Sequence, residues 1–128
     1  HMYGPGDSLN KIINSVVYRL QNSQEVTLSA CEQLRYFIDV CDVVKFFRKI
    51  LINYDNLDTF NEIDIAGDYH LSMKEFMCKL YDQVQCGSLN FDATLHHEID
   101  ENIVVKINAP AWLTVNQAKI DTSLKRLL

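Results

Sequence analysis

Glycine and proline are scarce, with four and two among 128 residues. A β-sandwich or up-and-down barrel needs many tight turns, so this shortage argues against either. No apolar run approaches the roughly 20 residues of a membrane span. The cysteines stand at 31, 41, 78 and 86 with no C-x-x-C pair, which argues against structural zinc and a redox motif. No secretory signal is present, so reduced thiols inside the cell are expected, in the cytoplasm first and with the nucleus left open. A basic half is missing too: residues 1–64 hold 6 bases and 9 acids, and residues 65–128 hold 6 and 8, for a net charge of −5. Nucleic acid is therefore not an expected partner. The sequence contains no Gly-rich phosphate loop and no G-x-S-x-G elbow, so no enzyme is expected.

What is present reads as a folded domain. The chain is 48% hydrophobic and 23% charged, ordinary values for a globular protein. Its length suits one domain that buries roughly two-thirds of its unfolded surface. His1-Met2 reads as the scar of an expression tag, and Tyr3-Gly4-Pro5-Gly6 as a flexible leader, so residues 1–7 are placed outside the fold. Residues 8–128 are expected to form a single helical domain, one module of a longer protein.

The expected fold class is mainly α, a compact multi-helix domain. Ser8 is positioned to cap a first helix, in which Leu9, Ile12, Ile13, Val16, Val17 and Leu20 share one face at the helical period. Ser29 and Glu32 form a capping box ahead of a dense apolar stretch, residues 30–51, expected to be two helices broken near 39–42 and to make the core. A short helix is expected at about 56–63. Ser72 and Glu75 form a second capping box, followed by Phe76, Met77, Leu80, Tyr81 and Val84 on one helix side. A third, Thr114 with Gln117, opens a C-terminal helix. A short strand at 103–107, or a small hairpin with 95–99, is expected in the last third.

Residues 60–76, FNEIDIAGDYHLSMKEF, resemble an EF-hand. Asp64 stands at loop position 1, Asp68 at 5, Leu71 at 8, Ser72 at 9 and Glu75 at 12, with Phe60, Ile63 and Phe76 at the flanking apolar places. The resemblance implies a helix–loop–helix with Asp64, Asp68, Ser72 and Glu75 as calcium ligands. Position 3 is Ala66 and position 6 is Tyr69, where the loop wants a ligand and a glycine, so at most weak calcium binding is implied. A fainter echo covers 76–95, with Asp82, Gly87, Leu89 and Asn90 in place and Ala93 where the last ligand belongs. Apart from that calcium, no cofactor is expected. His96-His97-Glu98 reads as a solvated group, since adjacent side chains point to different faces.

The expected function is a non-enzymatic protein-interaction, scaffold or assembly module that binds a partner helix or itself. Its motive is the surplus of large apolar residues in 34–51, with Phe37, Val40, Val44, Phe47 and Leu51 as the partner-binding set. The expected partner is thus another protein or a second copy. A calcium-responsive EF-hand-like regulator is the alternative. A winged-helix-like nucleic-acid binder is the second alternative, although its turn at 100–102 is acidic where a wing carries bases.

Overall fold

The first helix keeps the predicted period but starts late. In the computed structural model, which describes residues 1–57, 62–95 and 107–128, α1 spans Ile12–Gln21 and buries Ile13, Val16, Val17 and Leu20. Ser8 does not cap it: its hydroxyl accepts from the Asn10 backbone N–H in a preceding turn, and Leu9 is left 56% exposed. The first residues are inside the fold. Met2–Tyr3 form a short strand, β1, and Tyr3 is 3% exposed in the core.

After α1 comes β2, Glu25–Leu28, and then the largest departure from expectation. The Ser29–Glu32 box opens no helix. Residues Leu34–Asp39 form a strand, β3, and the helix α2 starts only at Val40 and runs to Ile52. A short apolar run does not declare its period, and Tyr36, Phe37 and Ile38 are strand formers. Carbonyls of the intervening segment are used by another helix, for Cys31 and Gln33 accept the N–H groups of Lys74 and Met73. The break expected near 39–42 is real, but it separates a strand from a helix. Asp39 marks it, accepting from the Cys41 N–H as the cap of α2.

The EF-hand reading fails at the next segment. Tyr69–Ser72 form β4, antiparallel to β3 with Leu34 opposite Ser72, Arg35 opposite Leu71, Tyr36 opposite His70 and Phe37 opposite Tyr69. A ladder extends the backbone where a calcium loop must curl around its ion. Ser72 and Glu75 are occupied as a true capping box, which starts α3, Met73–Val84. The fainter echo fails likewise, because Ser88–Phe91 is a strand, β5. The last short helix, α4, is Ile120–Leu124. Thr114 and Gln117 open no helix: the Lys49 Nζ donates to the Thr114 carbonyl at 2.5 Å, and Gln117 Nε2 donates to the Ala66 carbonyl at 3.1 Å. The predicted helix at 56–63 is replaced by a single 3-10 turn, Tyr54–Asn56. Phe60, His96, His97, the acidic turn at 100–102 and most of the predicted strand at 103–107 lie outside the described residues.

The architecture is therefore mixed α/β rather than mainly α. One sheet has the order β1-β3-β4, and a second pairs β2 with β5. Both β1–β3 and β2–β5 are parallel, so each needs a long crossover, and the helices supply it. At the entry to β5, Gly87 has φ +70, and a Cβ there would lie 2.5 Å from the Gln24 carbonyl oxygen. The main core is built by α1, α3, α4 and the strands around Phe37, Phe76, Met77, Leu80 and Leu124. The stretch expected to be that core, 34–51, gives it Phe37, supplies Ile38 and Phe46 to a second cluster with Leu113, and leaves Val44, Phe47 and Leu51 exposed. Among the described residues, no helix is long and apolar enough to cross a membrane.

Gly67 passes so close to β3 that a Cβ would run into the Phe37 carbonyl. Gly67→Ala is expected to destabilise the fold by about 3 kcal/mol, read as a lower denaturant midpoint in urea melts. The Tyr3 hydroxyl lies 2.5 Å from Ser123 Oγ. Burial, and after it the carboxylates of Asp39 and Asp42, push its pKa up to about 12 from 10.0, against the lowering Ser123 hydrogen bond. A raised folded pKa gives stability that is complete below the unfolded value and is lost as pH climbs through the folded one. Stability should thus fall between about pH 10 and 12, and Tyr3→Phe should flatten that fall in melts across the window.

Candidate functional site

Among the strands of its sheet β3 is central, yet β1 pairs only with Ile38 and Asp39. Beside Arg35 and Tyr36 a cavity of about 340 Å³ opens, with Asp64, Ile65 and Gly67 among its other walls. A second cavity of about 320 Å³ lies along the same Asp64, Ala66 and Gly67 segment, toward Phe46 and Leu113. The chain from 64 to 67 is thus a partition between two hollows.

Polar ties hold that partition in place. The Asp64 backbone N–H donates to the Asn108 carbonyl at 2.8 Å. Asn108 returns its own N–H to Asp64 Oδ2 at 2.9 Å and its side-chain amide to the Glu62 carbonyl. Gln117 completes the set, accepting from the Asp68 N–H at 3.1 Å and donating to Asp68 Oδ1 at 3.1 Å. Gly67 permits the close approach to β3 that brings the partition over Arg35 and Tyr36.

Arg35 is the chemical centre of the first cavity. It is 8% exposed, and its Nη1 donates to the Leu34 carbonyl at 2.8 Å. A guanidinium stays charged at any physiological pH and offers a planar fork of donors matched to carboxylate or phosphate. Tyr36 adds a ring on the same strand, stacked on His70 with centroids 4.4 Å apart and planes 16° from parallel. A buried cation and the Asp64 side chain beside one hollow make a site for a ligand that is anionic at one end and hydroxylated at the other.

Of the residues singled out from the sequence, Asp64 lines this cavity and the others do not. Phe37 is core, stacked on Phe76 at 4.0 Å, and Val40 is half-buried against Gly4. Val44, Phe47 and Leu51 share an exposed side of α2. Of the four calcium positions, Asp64 faces Asn108, Asp68 faces Gln117, and Ser72 and Glu75 bond each other. No group of three or more His, Cys, Asp or Glu side chains suited to a metal exists among the described residues. Sequence reasoning missed Arg35, although a signal was present: it is the one base in the apolar run 33–44, and a base in such a run is buried with a purpose.

Comparison with known proteins decides the class. The profile of the NAD dependent epimerase/dehydratase family matches residues 1–66, half of the chain. The chain belongs to this family. It is 35% identical over 89 residues to the CDP-abequose synthase of Salmonella typhimurium, a match covering 69% of the chain and 30% of that protein. The CDP-abequose synthase of Salmonella muenchen is 29% identical over 75 residues, covering 59% and 25%. Among solved structures, RMD from Pseudomonas aeruginosa, complexed with NADPH, superposes with a TM-score of 0.77 at 16% identity, over 99% of the chain and 43% of its own. UDP-glucuronic acid 4-epimerase from Bacillus cereus, in complex with NAD, gives 0.69 at 15% identity, over 98% and 38%. These likenesses show a shared α/β fold. The chain spans under a third of the length of the curated relatives it matches.

Family membership overturns the functional expectations. A scaffold, a self-assembling module, an EF-hand regulator and a nucleic-acid-binding domain all give way to a family of epimerases and dehydratases, which are enzymes. The expectation of no cofactor beyond weak calcium gives way as well, since the family is NAD dependent. The residues present do not by themselves fit a dinucleotide. Glycines stand only at 4, 6, 67 and 87, so the sequence holds no G-x-G-x-x-G, and β3 enters α2 with no glycine between them. Because Asp64, Asp68, Ser72 and Glu75 point to separate partners, millimolar calcium or its removal by chelator should leave the melting temperature unchanged, as followed by circular dichroism.

Proposed function

We propose that this chain is the substrate-gripping part of an NAD-dependent enzyme that acts on a nucleotide-linked sugar, with a cytidine diphosphate sugar as the substrate class. The observation that carries the reading is the cavity where Arg35, Tyr36 and Asp64 meet. Its parts match the parts of such a molecule. A buried guanidinium suits the diphosphate, whose oxygens accept the paired N–H groups of the fork. The Tyr36 ring suits stacking on a base or the apolar face of a sugar. The Asp64 carboxylate is an acceptor for sugar hydroxyl groups. Relatives named CDP-abequose synthase support the cytidine diphosphate assignment. In the whole enzyme, NAD supplies the redox chemistry of the family, held by a Gly-rich loop outside these 128 residues. The chain's own part is to bind, orient and partly bury the substrate. Its four free cysteines fit a reducing compartment, and the cytoplasm is the location that accompanies this reading.

Titrating the chain with CDP, CMP and cytidine, followed by ligand-observed NMR, tests the proposal. CDP should bind saturably and more tightly than cytidine. Arg35→Gln should weaken CDP about tenfold, about 1.4 kcal/mol, while cytidine changes by less than about twofold. Tyr36→Ala should weaken both. Absence of saturable CDP binding, or an unchanged affinity in a folded Arg35→Gln variant, would sink the reading.

A further inference from the structure

The partition at 64–67 has a hollow on each side. In front lies the cavity of about 340 Å³ beside Arg35. Behind lies the one of about 320 Å³, walled by Phe46, Leu113 and Val115. A wall between two gaps lacks the packed atoms that ordinarily hold a segment in place. It cannot advance onto β3, because Gly67 already stands against the Phe37 carbonyl. Retreat into the hollow behind is the movement left to it, and hydrogen bonds have to oppose that.

Asn108 ties the near end at Asp64, and beyond Asp68 the chain is fixed in β4. Between these anchors the turn is tied by Gln117. Its Oε1 accepts from the Asp68 backbone N–H at 3.1 Å, and its Nε2 donates at 3.1 Å to Asp68 Oδ1 and to the Ala66 carbonyl. One half-buried amide thus bridges the residues on either side of Gly67. Its backbone is held on both flanks, for the Ala118 N–H donates to the buried Asp42 at 3.0 Å and Lys45 Nζ to the Asn116 carbonyl at 3.1 Å. Gln117 lines the cavity behind and not the one in front, so it reaches a ligand through the partition. We infer that Gln117 is a positioning residue of the nucleotide-sugar site: it stops the partition from retreating and so keeps Asp64 within reach of the hydroxyl groups of a ligand whose phosphates sit on Arg35. The inference rests on the reading under Proposed function. It also divides the ligand in two. The phosphates need the guanidinium, which β3 carries, whereas the hydroxylated half needs the partition at its set distance. Loss of the strut therefore changes which ligand is preferred more than whether an anion binds.

Titrating the chain with CDP and with inorganic pyrophosphate, followed by ligand-observed NMR, reads that division. Gln117→Ala should weaken CDP about tenfold and leave pyrophosphate within about twofold of wild type. Gln117→Met keeps the volume and loses the polar amide, so it should show the same split and guards against a misfolded alanine variant. Arg35→Gln should weaken both ligands. Asn90→Ala removes a side-chain hydrogen bond to Glu25 in the other sheet; it should lower the melting temperature and leave both affinities unchanged. An unchanged CDP affinity in the folded Gln117 variants overturns the inference and leaves the nucleotide-sugar reading standing. Equal weakening of CDP and pyrophosphate overturns it too, because a general loosening of the fold does that. A wild-type chain that binds no CDP overturns both the inference and the reading beneath it.

Discussion

Two buried acids at the junction of β3 and α2 hold the C-terminal segment to the middle of the chain. Asp39 is 2% exposed, caps α2 through the Cys41 N–H, and pairs with Arg126 at 2.6 Å. Asp42, also 2% exposed, binds Lys45 and accepts the Ala118 N–H at 3.0 Å. A carboxylate out of water is tolerable only when its oxygens are fully used, and here the partners come from α2 itself and from the C-terminal segment. Remove that segment and both acids lose partners at once. The turn from strand to helix, the course of residues 114–118 and the seating of α4 therefore form one constraint. The charge on Arg126 responds to it: the Asp39 carboxylate raises its pKa further.

The site inherits its shape from that constraint. Because β1 pairs with only the last two residues of β3, and His1 ahead of it donates to the Tyr36 carbonyl, the cavity lies beside Arg35 at the far end of that edge. Gln117, placed by the same C-terminal segment that satisfies Asp42, reaches across to Ala66 and Asp68 and fixes the partition over that opening. The buried charge that is structural, on Asp39, and the buried charge proposed to be functional, on Arg35, lie four residues apart on one strand.

Helix α3 and the buried face of α1 could be read from sequence because their signals are local. Ser72 and Glu75 bond each other across one turn, and Val16, Val17 and Leu20 repeat at 3.6 residues whatever surrounds them. The strands could not. Residues 34–39 and 69–72 carry polar and apolar groups in patterns that suit a helix, a loop or a strand, and only their pairing with each other decides. The acids of 64–75 misled for the same reason: oxygen-bearing residues at calcium spacing mean a calcium site only if the backbone curls, and β4 straightens it. Arg35 was visible as an oddity, but its purpose needed the cavity, whose facing wall, residues 64–67, stands 29 or more positions away.

The hydrogen bond from Tyr3 to Ser123 joins residues 120 positions apart. Together with the parallel pairing of β2 and β5, it makes this a fold of high contact order, whose decisive contacts close the largest loops available to the chain. During synthesis, Tyr3 and β1 emerge well before α4 and have no finished surroundings until it has left the ribosome. Until then the ring of Tyr3 and the edge of β3 are open to wrong partners, and α4 has to arrive before that vulnerability to aggregation ends. The C-terminal segment is thus a folding checkpoint as well as a wall of the site.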